Sequence, residues 1–145
     1  MRTWTATATA PAQPAAVLDV LTDPDACSRW APLPFDVDEL ATRRLAAGSR
    51  ARVSGKLAGR RVGFDVCVHA ADEHGLALSA DGPVGMDVDY RLAPAPAGGS
   101  EVRASISLRP SRGIAGRLLA EATGALLTAG ALEHAVSRIV QEVAA

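Results

Sequence analysis

Between Ser49 and Leu108 apolar and polar residues alternate almost without interruption, in segments joined by turns of hairpin length. Arg50, Arg52, Ser54 and Lys56 interleave with Ala51, Val53 and Leu57. Val62, Phe64, Val66 and Val68 share one side, with Asp65, Cys67 and His69 on the other. Leu76 to Ala80 is short. Met86, Val88, Tyr90 and Leu92 then alternate with Asp87, Asp89 and Arg91, and Val102, Ala104, Ile106 and Leu108 with Arg103, Ser105, Ser107 and Arg109. Successive side chains of a strand point to opposite faces, so this pattern dictates an antiparallel meander with one apolar and one solvated face. Turns fall at "AGR" around Gly59, at "ADEHG" ending on Gly75, and at "APAPAGGS". Phe35 to Leu40 adds a strand ahead of the series.

The two ends differ from this middle. Arg2 to Thr9, "RTWTATAT", suits a strand. Pro14 fits the first turn of a helix whose apolar face is Val17, Leu18 and Leu21. Asp23-Pro24 ends that helix, because the residue before proline is driven out of the α region. Asp23 can then cap a second short helix that closes on Trp30. From about Gly113 to Val143 the period lengthens to that of one long helix. Its stripe is Leu118, Ala122, Ala125, Ala129, Leu132, Val136, Val140 and Val143, with Arg117, Thr128, Arg138 and Glu142 opposite. The apolar sheet face needs a cover, and this helix supplies it. The expected class is α+β: a curved antiparallel sheet wrapped around a long C-terminal helix, with two short helices after the first strand.

At 145 residues the chain is long enough for one domain, taken as 1–145. Fifteen basic against sixteen acidic residues give a net charge of −1, which argues against a nucleic-acid surface. No apolar run approaches the roughly 20 residues that span a bilayer, and "MRTWTATATAP" has no signal-peptide core. Cys27 and Cys67 fit no CxxC or zinc spacing, so they read as reduced thiols of a cytoplasmic protein. No metal and no cofactor are expected, and a homodimer is left open. The core is rich in alanine, with only two Trp, two Phe and one Tyr. Such a core either packs its elements closely or leaves a space.

The element order, with "AP" after the first strand, "VLDVLTDP" followed by Trp30, "YRLAP…GGS" before the last strand and "LRPSRG" before the terminal helix, resembles the START-like (SRPBCC) superfamily. That superfamily includes polyketide cyclases and the Bet v 1-like plant allergen-type ligand binders. The resemblance covers nearly the whole chain. It implies a helix-grip fold with a cavity between sheet and terminal helix that takes sterols, lipids, polyketides or quinones. It also implies, for an aromatase/cyclase, an arginine late in the strand before the "DEHG" turn. The matching residue here is Ala70, with His69 beside it, and the missing arginine argues against cyclase chemistry.

The expected ligand-binding set is Trp30, Phe64, Val66, Val68, Met86, Val88, Tyr90, Ala104, Ile106, Ala125, Ala129 and Leu132. On the inward sheet face the only polar atom is the Tyr90 hydroxyl. It either orients a carbonyl or acts as a weak acid, or it finds a backbone partner, the commoner fate. His69 becomes the second catalytic candidate if the register slips by one. His74 reads as a solvated turn residue and His134 as a surface one. Asp65, Asp87, Asp89, Arg91, Arg103 and Arg109 read as cross-strand charge pairs on the solvated face. Trp30 reads as part of a lid, stacking on a ligand or on the core, with Cys27 and Asp25 as the only titratable groups near it. The leading function is binding of a hydrophobic small molecule. The alternatives are a polyketide aromatase/cyclase or dehydratase using Tyr90 and His69, and an interaction subunit or co-chaperone exposing Ile114, Leu119 and Leu127.

Overall fold

A computed structural model describes residues 2–32, 35–40, 42–57, 59–110 and 113–144. The alternating segments become strands β1 (Arg2–Ala10), β2 (Phe35–Leu40), β3 (Arg50–Leu57), β4 (Arg60–Asp72), β5 (Gly75–Asp81), β6 (Met86–Pro94) and β7 (Ser100–Leu108). They form one seven-stranded sheet in the order β1-β7-β6-β5-β4-β3-β2, every pair antiparallel. Register carries the apolar set across the sheet in rows. Val68, Leu78, Val88, Ile106 and Trp4 are successive cross-strand neighbours, as are Leu76, Tyr90, Ala104 and Ala6. A one-residue slip would turn each strand's apolar side to water, so burial of one face holds this register.

Two bulges bend the sheet. One falls in β2 between Val37 and Glu39, the other in β4 between Val68 and Ala70. An extra residue on one strand increases local twist and curvature. In β4 the extra residue is His69. At the β4–β5 turn Gly75 has φ +144°, and a Cβ there would lie 1.9 Å from the Tyr90 carbonyl oxygen. Only glycine lets the turn approach β6 so closely.

Helices α1 (Pro14–Thr22) and α2 (Pro24–Trp30) follow β1, each with proline in its first turn. The Asp23 carboxylate accepts from the Asp25 N–H at 3.0 Å, which caps α2 as its sequence implied. The C-terminal segment departs from expectation. It is two helices, α3 (Gly113–Thr128) and α4 (Ala131–Ala144), separated at Gly130, where φ is +108°. Glycine in this conformation ends a helix.

Because of the break, the two halves bury faces that no single stripe describes. α3 buries Gly116, Leu119, Thr123, Gly124 and Leu127, and α4 buries Leu132, Ala135, Val136 and Ile139. Leu118 is 66% exposed, and Ala125 and Ala129 also face outward. The expected stripe is right in α4 and rotated by about one residue in α3. A cause is visible at Gly124, where a Cβ would come 2.9 Å from Arg2 Nη1 and 3.5 Å from the Trp4 ring. Gly124 leaves room for the ends of the Arg2 and Trp4 side chains of β1. Leu119 and Leu127 are buried, and among the described residues the exposed large apolar ones are Ile114 (79%), Leu118 and Leu126.

α4 packs on β1, α1 and α2. It is also tied to α2 by polar contacts. Arg29 Nε and Nη2 donate to the Glu142 carboxylate at 3.0 and 3.1 Å, and Arg138 Nη1 donates to the Arg29 carbonyl at 3.1 Å. The solvated sheet face carries charge pairs, though not all of those expected. Arg52 lies 3.8 Å from Asp65, Arg91 3.1 Å from Asp89, and Arg109 2.7 Å from Asp81 and 3.6 Å from Asp87. Arg103 sits directly opposite Arg91, a like-charge neighbour rather than a partner. Among the described residues no helix is long and apolar enough to cross a membrane.

Candidate ligand cavity

The segment from α1 to β2 builds one side of a cavity. Val17 and Leu21 anchor α1 in the core, and the turn at Asp23 lays α2 alongside it. Trp30, the last residue of α2, is 5% exposed, and its Nε1 donates to the Val20 carbonyl of α1 at 3.3 Å. Its ring meets the Tyr90 ring edge to face, with centroids 5.2 Å apart and an interplanar angle of 81°. Phe35, the first residue of β2, makes a second edge-to-face pair with Phe64 at 5.1 Å.

Between these two aromatic pairs and the inward face of the sheet lies a cavity of about 130 Å³. The sheet supplies Ala51, Val53, Phe64, Val66, Leu78, Ala80, Met86, Val88, Tyr90 and Ile106. The α2–β2 corner supplies Cys27, Trp30, Ala31, Pro32, Phe35 and Val37, and Leu45 completes the wall. Of the residues expected from sequence, Trp30, Phe64, Val66, Met86, Val88, Tyr90 and Ile106 line it. Val68, Ala104 and Leu132 are buried in the core away from it, and Ala125 and Ala129 are exposed on α3 and just beyond its end.

The cavity's position corrects the expectation that sheet and terminal helix enclose it. No described residue of α3 or α4 lines it, because α4 is taken up by β1, α1 and α2. The cover comes instead from α2 and the start of β2. Phe35, Val37 and Leu45 were missed for that reason, since all three lie outside the long alternating run and the helix. The signal available in the sequence was the aromatic set itself. Four of the five aromatic residues, Trp30, Phe35, Phe64 and Tyr90, line this one space.

Two titratable groups belong to the wall, and burial holds both neutral. It pushes the Cys27 thiol up to about 12, with Asp23 adding to the effect. Its Sγ donates to the Leu21 carbonyl at 3.6 Å. Burial likewise raises the Tyr90 phenol well above its ordinary value, with Cys27 contributing second. The Tyr90 hydroxyl is sealed from solvent and has no hydrogen-bond partner among the described residues. The backbone partner expected as its commoner fate is thus not found there.

The remaining candidates lie elsewhere. His69 is exposed on the outer face, its Nε2 hydrogen-bonded to Ser79 Oγ, so it shares no space with Tyr90. His74 and His134 are exposed, as expected. Asp25 is exposed on the outer side of α2, and Asp87 and Asp89 pair with arginines on the solvated face. Among the described residues no group of His, Cys, Asp and Glu is placed to hold a metal ion.

The raised thiol has a consequence for stability. The native state keeps the Cys27 proton between about pH 9 and 12, where the unfolded chain has lost it. This contribution is complete below about pH 9 and disappears as pH rises through 12, with a slope of at most about 1.4 kcal/mol per pH unit. Tyr90 adds a term of the same sign at higher pH. Urea unfolding between pH 8 and 11 should show stability falling more steeply in the wild type than in Cys27→Ala; parallel profiles would mean that the thiol titrates normally.

With the geometry in view, three comparisons bear on what the cavity is for. A family model described as polyketide cyclase / dehydrase and lipid transport matches residues 1–144. Among curated proteins none matches the chain. Among solved structures, TTHA0849 from Thermus thermophilus superposes with a TM-score of 0.73 at 18% identity, over 99% of this chain and 97% of that one. Ara h 8.0201 gives 0.65 at 16% identity, over 99% and 97%. DynU16, a protein in the dynemicin biosynthetic locus, gives 0.65 at 17% identity over 98% of this chain and 47% of that one. At these identities the likeness is one of fold, the Bet v 1-like helix-grip.

Proposed function

Because the chain belongs to the polyketide cyclase / dehydrase and lipid transport family, we propose that it binds a hydrophobic small molecule in the cavity under α2. The carrying observation is the character of the wall. Among its lining residues there is no Asp, Glu, Lys, Arg or His, and its two titratable groups are held neutral. Such a site gains affinity by removing apolar surface from water, at about 25 cal/mol per Å². It offers little to stabilise developing charge. The cavity, about 130 Å³ and partly open to its surroundings, has room for a small apolar molecule. The whole chain acts in this reading as one ligand-binding domain.

Titration with an environment-sensitive naphthalene fluorophore, followed by displacement with unlabelled apolar molecules, tests this directly. One saturable site per chain, competed by single-ring hydrocarbons, is the expected result. Fluorescence that rises without saturation would place the dye on exposed apolar surface and remove the reading.

A second reading, a polyketide cyclase or dehydratase acting on a bound chain, draws on the Tyr90 hydroxyl, which has no hydrogen-bond partner among the described residues, as a proton donor to a substrate carbonyl. It must work without His69, which lies across the sheet, and without the arginine that Ala70 replaces.

A further inference from the structure

We infer that the outward face of α3 docks the protein on an anionic lipid bilayer surface. Ile114, Leu118 and Leu126 enter the headgroup layer, and arginines on the two flanks of the helix meet lipid phosphates. This surface lies apart from the cavity, which no described residue of α3 lines.

The apolar residues come first. Gly116, Leu119, Thr123 and Leu127 are the buried side of α3. At about 100° per residue, Ile114, Ala115, Leu118, Ala122, Ala125 and Leu126 fall within one arc of about 120° on the other side. No charged side chain interrupts that arc. Ile114, Leu118 and Leu126 are the exposed large apolar residues among those described, and all three stand on this one face. A helix that is apolar on two sides, with one side packed on its own protein, has a second face to cover.

Charge identifies the partner. Arg60, from the β3–β4 hairpin, borders a groove with Ile114, Ala115 and Leu118. On the opposite flank of the helix Arg117 borders a second groove with Arg2, Arg109 and Glu121. Arg109 is already held by Asp81 and Asp87. The hairpin that carries Arg60 also carries Lys56 and Arg61, opposite each other in register and both exposed. Among the described residues none of Arg2, Lys56, Arg60, Arg61 and Arg117 is ion-paired with a carboxylate. Glu121 is the one acidic residue of α3. These five cations and Glu121 leave ten basic and fifteen acidic residues to the rest of the chain. A molecule of net charge −1 therefore turns a positive end toward an anionic surface. Arginines beside an apolar helix face lay their stems along it and reach phosphates with their heads.

A second copy fits this face less well. The 16 residues of α3 make a helix about 24 Å long and about 10 Å wide, a footprint on the order of 240 Å². A standard protein interface takes about 800 Å² from each partner. Two such faces would also bring their arginines together. A bilayer needs no matching groove, and it accepts a convex helix lying in its plane.

Co-sedimentation of the full chain with phosphatidylcholine vesicles, with and without about one-third phosphatidylglycerol, tests this. The wild type should bind the anionic vesicles at least about tenfold more tightly than the neutral ones, and less tightly as salt is raised. Ile114→Ser with Leu118→Ser should weaken anionic-vesicle binding about a hundredfold, at about tenfold for each aliphatic side chain no longer buried. That variant should melt with the wild type, since both side chains are exposed in the free protein. Arg60→Gln with Arg117→Gln should cost about 25-fold on anionic vesicles, about fivefold per cation, and leave neutral-vesicle binding unchanged. A wild type that sediments with neither vesicle overturns the proposal, as does anionic binding that survives loss of Ile114 and Leu118. Equal binding to both vesicles overturns the role of the arginines. A vesicle-free wild type that is a dimer in the ultracentrifuge, with the Ile114→Ser, Leu118→Ser protein a monomer, gives the face to a second copy and overturns the bilayer as its partner.

Discussion

Replacing Trp30 with alanine should cost the fold about 3–5 kcal/mol, the range for removing a buried tryptophan. The side chain is 5% exposed, its indole N–H holds the Val20 carbonyl, and its ring closes on Tyr90. Three elements therefore lose contact at once: α1 through Val20, α2 through Trp30 and β6 through Tyr90. A typical domain has a total stability of about 5–15 kcal/mol, so the loss is a large share of it. The melting temperature should fall by on the order of 10 °C. The deletion also merges the void left by the indole with the existing cavity, so added indole should restore more stability to Trp30→Ala than to the wild type. A loss below about 1 kcal/mol would mean that Trp30 is a free lid, resting on the core without supporting it. The contacts to Val20 and Tyr90 support the core reading, and the position on the cavity wall means the same ring can touch a ligand.

How far this arrangement could be read in advance depended on which physical constraint acted on each segment. From Arg50 to Leu108 one face is buried and one is wet, so a strand's place in the sheet is written in alternation of period two. The strands came out within about two residues of expectation for that reason. The terminal segment was harder, because a periodic stripe does not reveal a break. Thr128, Ala129 and Gly130 can be threaded by a continuous helix on paper. The positive φ of Gly130 stops it, and the phase of the buried face then resets between Leu127 and Leu132. Gly116 and Gly124 hid the phase further, since the side that packs closest presents the least side chain. The cavity was half legible. Its sheet wall followed from alternation, so Phe64, Val66, Met86, Val88, Tyr90 and Ile106 were found. Its other wall depends on where α2 and β2 come to rest, a matter of tertiary packing that no local pattern encodes. Phe35 and Val37 could not be assigned for that reason. Tyr90 shows a different limit: its inward direction was plain, but that its hydroxyl has no partner among the described residues appears only in the folded structure.

Val88→Phe should abolish ligand binding, lowering affinity by about a hundredfold or more, ~2.8 kcal/mol at about 1.4 kcal/mol per decade. Val88 sits in the middle of the sheet wall, between Leu78 and Ile106 in register. It is only partly buried although it faces inward, because the space in front of it is the cavity. A phenylalanine there puts the protein's own ring where the ligand's would lie. The substitution adds apolar atoms to a void, so it regains dispersion contacts that the empty cavity lacks. Melting should therefore stay level or rise, in contrast to the roughly 1–3 kcal/mol penalty expected when an already filled core is overpacked. Val88→Leu, a smaller addition, should weaken binding by an intermediate factor. Ser105→Ala, on the outward side of neighbouring β7, should leave it unchanged. Two results together carry the decision. A folded Val88→Phe protein that binds as tightly as the wild type puts the ligand outside this cavity. A Val88→Phe protein that melts several degrees lower shows that the space is already filled, and that the apolar walls under α2 are core rather than site.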